Sequence, residues 1–263
     1  MTGAKALKIF IVLNAALKGR SSIRKAEAAK QQGRAIVKKK VCMTRSSIRL
    51  LPILCLLGTL ACHAASNAVK LPDPTADTPL AKAKSSETVV LAGGCFWGIQ
   101  AVFEHVKGVT SATAGYSGGA ANTAQYEVVS TGQTGHAESV KVVYDPSQVS
   151  FGQLLKVFFS VAHDPTELNR QGPDEGTQYR SVIFFASDDQ KKVAQAYIDQ
   201  LNRGKLFPEP IVTQIVPLQA FYPAEAYHQD YAEHHPYEPY IAMNDLPKLD
   251  HLKKTLPELY VGK

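Results

Sequence analysis

Cys95 directly follows Gly93 and Gly94 and directly precedes Phe96 and Trp97, the latter being the only tryptophan in the chain. The other cysteines, Cys42, Cys55 and Cys62, all lie upstream, so the rest of the sequence carries one thiol. Two glycines allow a tight backbone turn, and the residues after them have helical spacing, which places Cys95 in the first turn of a helix. Unpaired N–H groups and the positive end of the helix dipole favour thiolate there and lower the thiol pKa. Cys95 is therefore a candidate nucleophile. A lone cysteine is also a common core residue, and position alone does not choose between the two. Phe96 and Trp97 could wall an apolar pocket for a methyl or thioether group, but by themselves they read first as ordinary helix core.

Two other chemistries compete. A cysteine–histidine hydrolase or acyltransferase would pair Cys95 with His136 or His163, but the local signatures of those enzymes are missing. A metal-binding protein would use His228, His234 and His235. His228 and His235 are seven residues apart, on one possible helix face, yet spacing without a supporting Cys or Glu-x-x-His is weak evidence. Surface or half-buried histidines are the plainer reading of that cluster.

The elements that must position Cys95 can be read from periodicity. Thr88–Ala92 is a short apolar run stopped by two glycines, a buried strand. Ile99, Val102, Phe103 and Val106 then recur with helical spacing, and Gly108 supplies a stop. Val109–Tyr116 and Glu138–Tyr144 read as strands. Ser150 suits the cap of a helix whose inner face holds Leu154, Leu155, Phe158 and Val161. Tyr179–Ala186 reads as a strand, 188–203 as a helix and Ile211–Leu218 as a last strand. This order predicts an α/β (α+β) fold: a two-layer, partly antiparallel mixed sheet covered by helices, in a ferredoxin-like split β-α-β arrangement.

The net charge of +6 over 263 residues does not belong to this body. Residues 1–42 hold 11 Lys/Arg against Glu27 alone, and 43–68 add Arg45 and Arg49. From residue 69 onward, 16 basic residues face 22 acidic ones, a net −6 that argues against a nucleic-acid groove. Leu50–Ala61 is a 12-residue apolar run behind two arginines, followed by small residues: the layout of a signal peptide over 43–68. Met43 then reads as the initiator and 1–42 as an upstream extension or a basic organelle-targeting segment. Export, to a periplasm, is the expected localisation; lipidation at Cys62 is an alternative anchor. Residues 69–87 are rich in Pro, Ala, Ser and Lys and read as a linker. The catalytic body is then 88–263.

Gly93-Gly94-Cys95-Phe96-Trp97-Gly98 resembles the active-site signature of the A-type peptide methionine sulfoxide reductases. Further blocks follow in that family's order: Gly115-Tyr116-Ser117-Gly118-Gly119, Tyr126 leading to Gly135-His136-Ala137-Glu138, His163-Asp164-Pro165-Thr166, and 171–181 from Gln171 to Ser181. The resemblance covers about 88–240. It implies that Cys95 attacks the sulfoxide sulfur, that Glu138 protonates its oxygen, that Tyr126, Asp174 and Tyr179 position that oxygen, and that Phe96 and Trp97 hold the methyl group. A carboxyl among aromatics is desolvated, which suits an acid that must be neutral near pH 7. The product at the enzyme would be a sulfenic acid. No cysteine follows Cys95, so the family's usual resolving thiol is missing. The resemblance implies no cofactor or metal, and recycling by an external reductant: a thioredoxin-like or glutaredoxin-like protein or a small thiol. Substrates would be oxidised proteins and free methionine sulfoxide, and the chain would act as a monomer without stable membrane insertion.

Overall fold

A computed structural model describes residues 71–262. The expected signal peptide and upstream segment lie outside the described residues. Strand β1 (Glu87–Ala92) leads through the two glycines into helix α1 (Phe96–Glu104), and β2 (Val109–Ser117) and β3 (Ala137–Tyr144) follow. Next come α2 (Phe151–Val157), β4 (Val182–Phe185), α3 (Asp188–Arg203), β5 (Gln214–Pro217), β6 (Phe221–Pro223) and α4 (Leu246–Thr255). The six strands form one sheet in the order β5-β4-β1-β3-β2-β6. Its central run, β4-β1-β3-β2, is antiparallel throughout and has the ferredoxin-like order, while β5 adds parallel to β4. The mixed, helix-covered sheet expected from the sequence is the observed architecture.

Alternation along the strands decides which residues meet the helices. Val89 and Leu91 of β1, Ala114 and Tyr116 of β2, and Val140, Val142 and Tyr144 of β3 all enter the main core with Ile99, Phe103, Leu154 and Tyr197. Val90 and Ala92 point to the opposite face, where a smaller cluster gathers Ala137, Val182 and Phe184. Glu138 is in step with Val140, Val142 and Tyr144, so it faces the helix layer and is buried at 2% exposure.

The expected helix over 188–203 is the observed α3, with Ser187 accepting from the Gln190 N–H at its start. Ser150 caps α2 with a full capping box to Gln153. The expected strand 179–186 is shorter, because Thr177–Tyr179 winds into a 3-10 turn before β4 begins. The last helix, α4, had no sequence counterpart: its mixed polar and apolar positions and Pro247 gave no clear period.

The linker reading of 69–87 requires correction over the described part. Residues 71–86 have no helix or strand, in keeping with their composition, but they form a strap docked on the body. Leu71 is in the core at 1% exposure. Tyr197 donates to the Pro72 carbonyl at 2.8 Å, and the buried Lys156 ammonium meets Asp73 at 2.7 Å. Asp77 accepts from the Gly152 N–H at 2.8 Å and from the Ser150 hydroxyl, completing the start of α2. One buried side chain and a few side-chain bonds leave no periodic trace, which is why composition suggested a free linker.

Asp77→Ala removes two acceptors at the start of α2 and is expected to cost about 1 kcal/mol. Urea unfolding should show a lower midpoint with an unchanged slope; an unchanged midpoint would mean that the strap contributes nothing through this residue.

Candidate active site

Cys95 is the N-cap residue of α1, one position earlier than expected. Two glycines make that position possible. Gly94 has φ +100°, a left-handed conformation that side chains disfavour, and a Cβ there would lie 2.5 Å from Gln171. A Cβ on Gly93 would lie 2.7 Å from the His163 ring. The turn therefore delivers the Cys95 side chain against the helix face of the sheet, where it is 8% exposed.

Glu138 meets the same turn from β3. Its Oε2 accepts the Phe96 N–H at 3.1 Å, one of the donors freed at the start of α1. Burial nevertheless dominates this carboxyl, and together with Asp174 and Asp245 it raises the pKa to about 8 against the Phe96 bond. Glu138 is thus mostly protonated at neutral pH, the state in which a carboxyl can donate a proton.

The thiol departs from expectation. Burial first, then the Glu138 and Asp245 carboxylates, hold the Cys95 pKa well above its usual value. The Trp97 N–H and the Lys248 ammonium pull the other way and lose. At the N-cap, one N–H donor and a nearby ammonium do not offset desolvation, so the empty site keeps Cys95 as a neutral thiol.

Tyr126 and Tyr179 both lie within the electrostatic reach of Cys95 and Glu138, and burial raises both phenol pKa values. Asp174 reaches the same group of side chains and accepts a short hydrogen bond from the Tyr240 hydroxyl. Phe96 is 1% exposed and packs its ring 5.9 Å from Tyr116 and 5.1 Å from His228. Trp97 is half-buried, stacked on Tyr231 at 3.9 Å and edge-on to Tyr240 at 6.1 Å. All seven residues singled out from the sequence converge on one place.

Several neighbours there were not foreseen. Glu225 accepts from the Tyr116 hydroxyl and the Tyr126 N–H, both at 2.9 Å, and so fixes the start of the turn that carries Tyr126. His228 accepts the Trp97 indole N–H on Nδ1 at 3.2 Å, which requires a neutral ring protonated on Nε2. Burial, lowering the His228 pKa, favours that form. From the sequence only the histidine cluster marks this stretch: His234 and His235 are exposed, as their plainer reading has it, whereas His228 is buried in the aromatic wall. Among the described residues no group of three or more His, Cys, Asp or Glu is placed to hold a metal ion. The rival bases are engaged elsewhere. His136 binds the Gly119 N–H and the Ala120 carbonyl. His163 binds Ser181 and the Phe158 carbonyl, and burial depresses its pKa to about 4.

A model of the family described as peptide methionine sulfoxide reductase matches residues 87–259. A peptide methionine sulfoxide reductase MsrA 2 of Mesorhizobium japonicum is 61% identical over 181 residues, covering 69% of this chain and 93% of the relative. Its counterpart in Synechocystis is 55% identical, covering 68% of this chain and 85% of the relative. Among solved structures, methionine sulfoxide reductase A of Corynebacterium diphtheriae is 34% identical with a TM-score of 0.51, covering 67% of this chain and 92% of that one. The reduced form of Mxr1 from Saccharomyces cerevisiae is 33% identical with a TM-score of 0.53, covering 62% and 92%. A buried thiol beside a neutral carboxylic acid, walled by aromatics, agrees with that chemistry, and the chain belongs to the A-type peptide methionine sulfoxide reductase family.

Proposed function

We propose that, in the thiol-dependent reduction of methionine sulfoxide that this family performs, Cys95 is the attacking sulfur and Glu138 the acid. The carrying observation is the Glu138 carboxyl, buried at 2% exposure, bonded to the N–H next to Cys95 and neutral to about pH 8. Phe96 and Trp97 hold the methyl group of the S-sulfoxide, while Tyr126, Tyr179 and Asp174 position its oxygen. Sulfoxide oxygen leaves sulfur only once protonated, so a neutral acid is needed where the oxygen sits. The Cys95 sulfur bonds to the sulfoxide sulfur as Glu138 protonates the oxygen. Collapse moves the hydroxyl group from the substrate sulfur to the Cys95 sulfur as the new sulfur–sulfur bond breaks, which releases the thioether and leaves Cys95 as a sulfenic acid.

Recycling uses two external thiols. The first displaces hydroxide from the sulfenic sulfur, forming a mixed disulfide and water, and the second releases Cys95 as thiol with a disulfide of the reductant. The absence of any cysteine after Cys95 supports this route, with a thioredoxin-like or glutaredoxin-like protein or a small thiol as donor. Oxidised proteins and free methionine sulfoxide are the substrates. The apolar run and small residues of 50–68 support export of the chain.

Cys95→Ser should abolish sulfoxide reduction, and Glu138→Gln should slow it roughly 10²–10⁴-fold. The reactive state keeps one proton on the pair, on the acid rather than the thiol. Single-turnover rates should therefore rise with pH as the pair loses its first proton and fall as it loses its second. In Glu138→Gln only the thiol titrates, so the falling limb should vanish; a variant that kept both the rate and the bell shape would remove Glu138 from the mechanism.

One turnover without reductant should yield one methionine per chain and a Cys95 sulfenic acid that a dimedone-type probe labels. Mass spectrometry showing instead a disulfide from Cys95 to Cys42, Cys55 or Cys62 would replace the external route with an internal one.

A further inference from the structure

The C-terminal segment places a second pair of charges beside the thiol. After the wide helical turn Ile241–Asp245, helix α4 packs against α1, and Asp245 and Lys248 reach over the first turn that Cys95 caps. The Lys248 ammonium contacts Asp245 Oδ1 at 3.2 Å. Both sit in the space that a side chain at residue 98 would need: a Cβ on Gly98 would lie 2.1 Å from Asp245 Oδ1 and 2.7 Å from Lys248 Nζ. The glycine of Cys95-Phe96-Trp97-Gly98 is thus required by these two side chains, through space rather than conformation. The Asp245 side chain is fully buried, and its Oδ2 has no hydrogen-bond partner, although an unpaired carboxylate oxygen is costly in a core.

We propose that Asp245 and Lys248 are positioning residues for Cys95, an opposed charge pair that sets how readily its thiol ionises. This rests on Cys95 being the attacking sulfur. The carboxylate opposes a developing thiolate and the ammonium limits that opposition, so the pair acts as a trim on the larger effects of burial and Glu138. The other groups facing the thiol are the phenols of Tyr126, Tyr179, Tyr231 and Tyr240, which are neutral across the working range because their pKa values are raised. Glu138 on β3, mostly protonated at neutral pH, and this pair are therefore the titrating groups that bear on Cys95. With no later cysteine to trap an accidental sulfenic acid, a thiol that ionised at rest would be open to further, irreversible oxidation. A trim of this kind keeps the thiol for its substrate.

The test reads thiol ionisation without turnover, so it is separable from failure of the catalytic assignment, which Cys95→Ser reports. Alkylation by iodoacetamide is measured against pH on the full chain, without sulfoxide, by mass spectrometry of the peptide carrying Cys95. Asp245→Asn should lower the pH midpoint and speed alkylation at pH 8 about tenfold. Lys248→Met should raise the midpoint, and Lys248→Arg, which keeps the charge, should match the unaltered protein. A lost structural contact would shift melting temperatures without moving the two midpoints in opposite directions. If Asp245→Asn does not fold, the partly exposed Lys248 decides alone. Any folded variant whose midpoint stays put where movement is expected, or a Lys248→Arg midpoint displaced as far as that of Lys248→Met, overturns the proposal.

Discussion

The hydrogen bond from the Phe96 N–H to Glu138 joins the two halves of the proposed chemistry. It ties the start of α1, which Cys95 caps, to β3, which carries the proposed acid. Those elements are separated by 42 residues, so their registry depends on the β1–β3 and β2–β3 pairings. Tyr116 lies opposite Glu138 across β2–β3 and presents its ring to Phe96. One strand slipped by one residue would turn Glu138 to the other face of the sheet and lose the acid entirely. Catalytic geometry is in this sense a consequence of sheet register.

Placing that carboxyl in the core has a thermodynamic cost. Its folded pKa of about 8 exceeds the ordinary glutamate value of 4.5. Below about pH 4.5 both folded and unfolded chains hold the proton and nothing is lost. Between 4.5 and 8 the unfolded chain ionises first, so the Glu138 contribution to stability falls as pH rises, by a few kcal/mol at most. In the proposed mechanism this burden is what keeps a neutral acid at neutral pH. Burial likewise raises the Cys95 thiol, so the empty site holds both groups protonated at neutral pH.

Cys95 was legible as a candidate nucleophile because it follows a glycine pair at a strand–helix junction. Glu138 came only from the family resemblance, since by itself it reads as a solvated strand end, and its inward direction depends on the sheet pairing that buries it. What escaped was whatever depends on long-range packing. Glu225 acts by holding Tyr126 and Tyr116, roles invisible until β6 and the turn after it are placed beside β2. Tyr240, Asp245 and Lys248 come from a segment about 150 residues downstream whose helical pattern is weak. The thiol pKa was misjudged for the same reason: the helix start was visible, but the buried carboxylates that oppose it were not. The strap over 71–86 had the composition of a linker and the contacts of a docked segment.

The claim on which the account depends is that Glu138 is a neutral acid in the folded protein. Infrared difference spectra of the unaltered chain against Glu138→Gln, taken across pH 4–10, test it most directly. A protonated-carboxyl stretch that persists through pH 7, disappears near pH 8 and is missing from the variant is the predicted result. Loss of that band near pH 4.5 would show an ordinary ionised glutamate beside Cys95 and would contradict the mechanism.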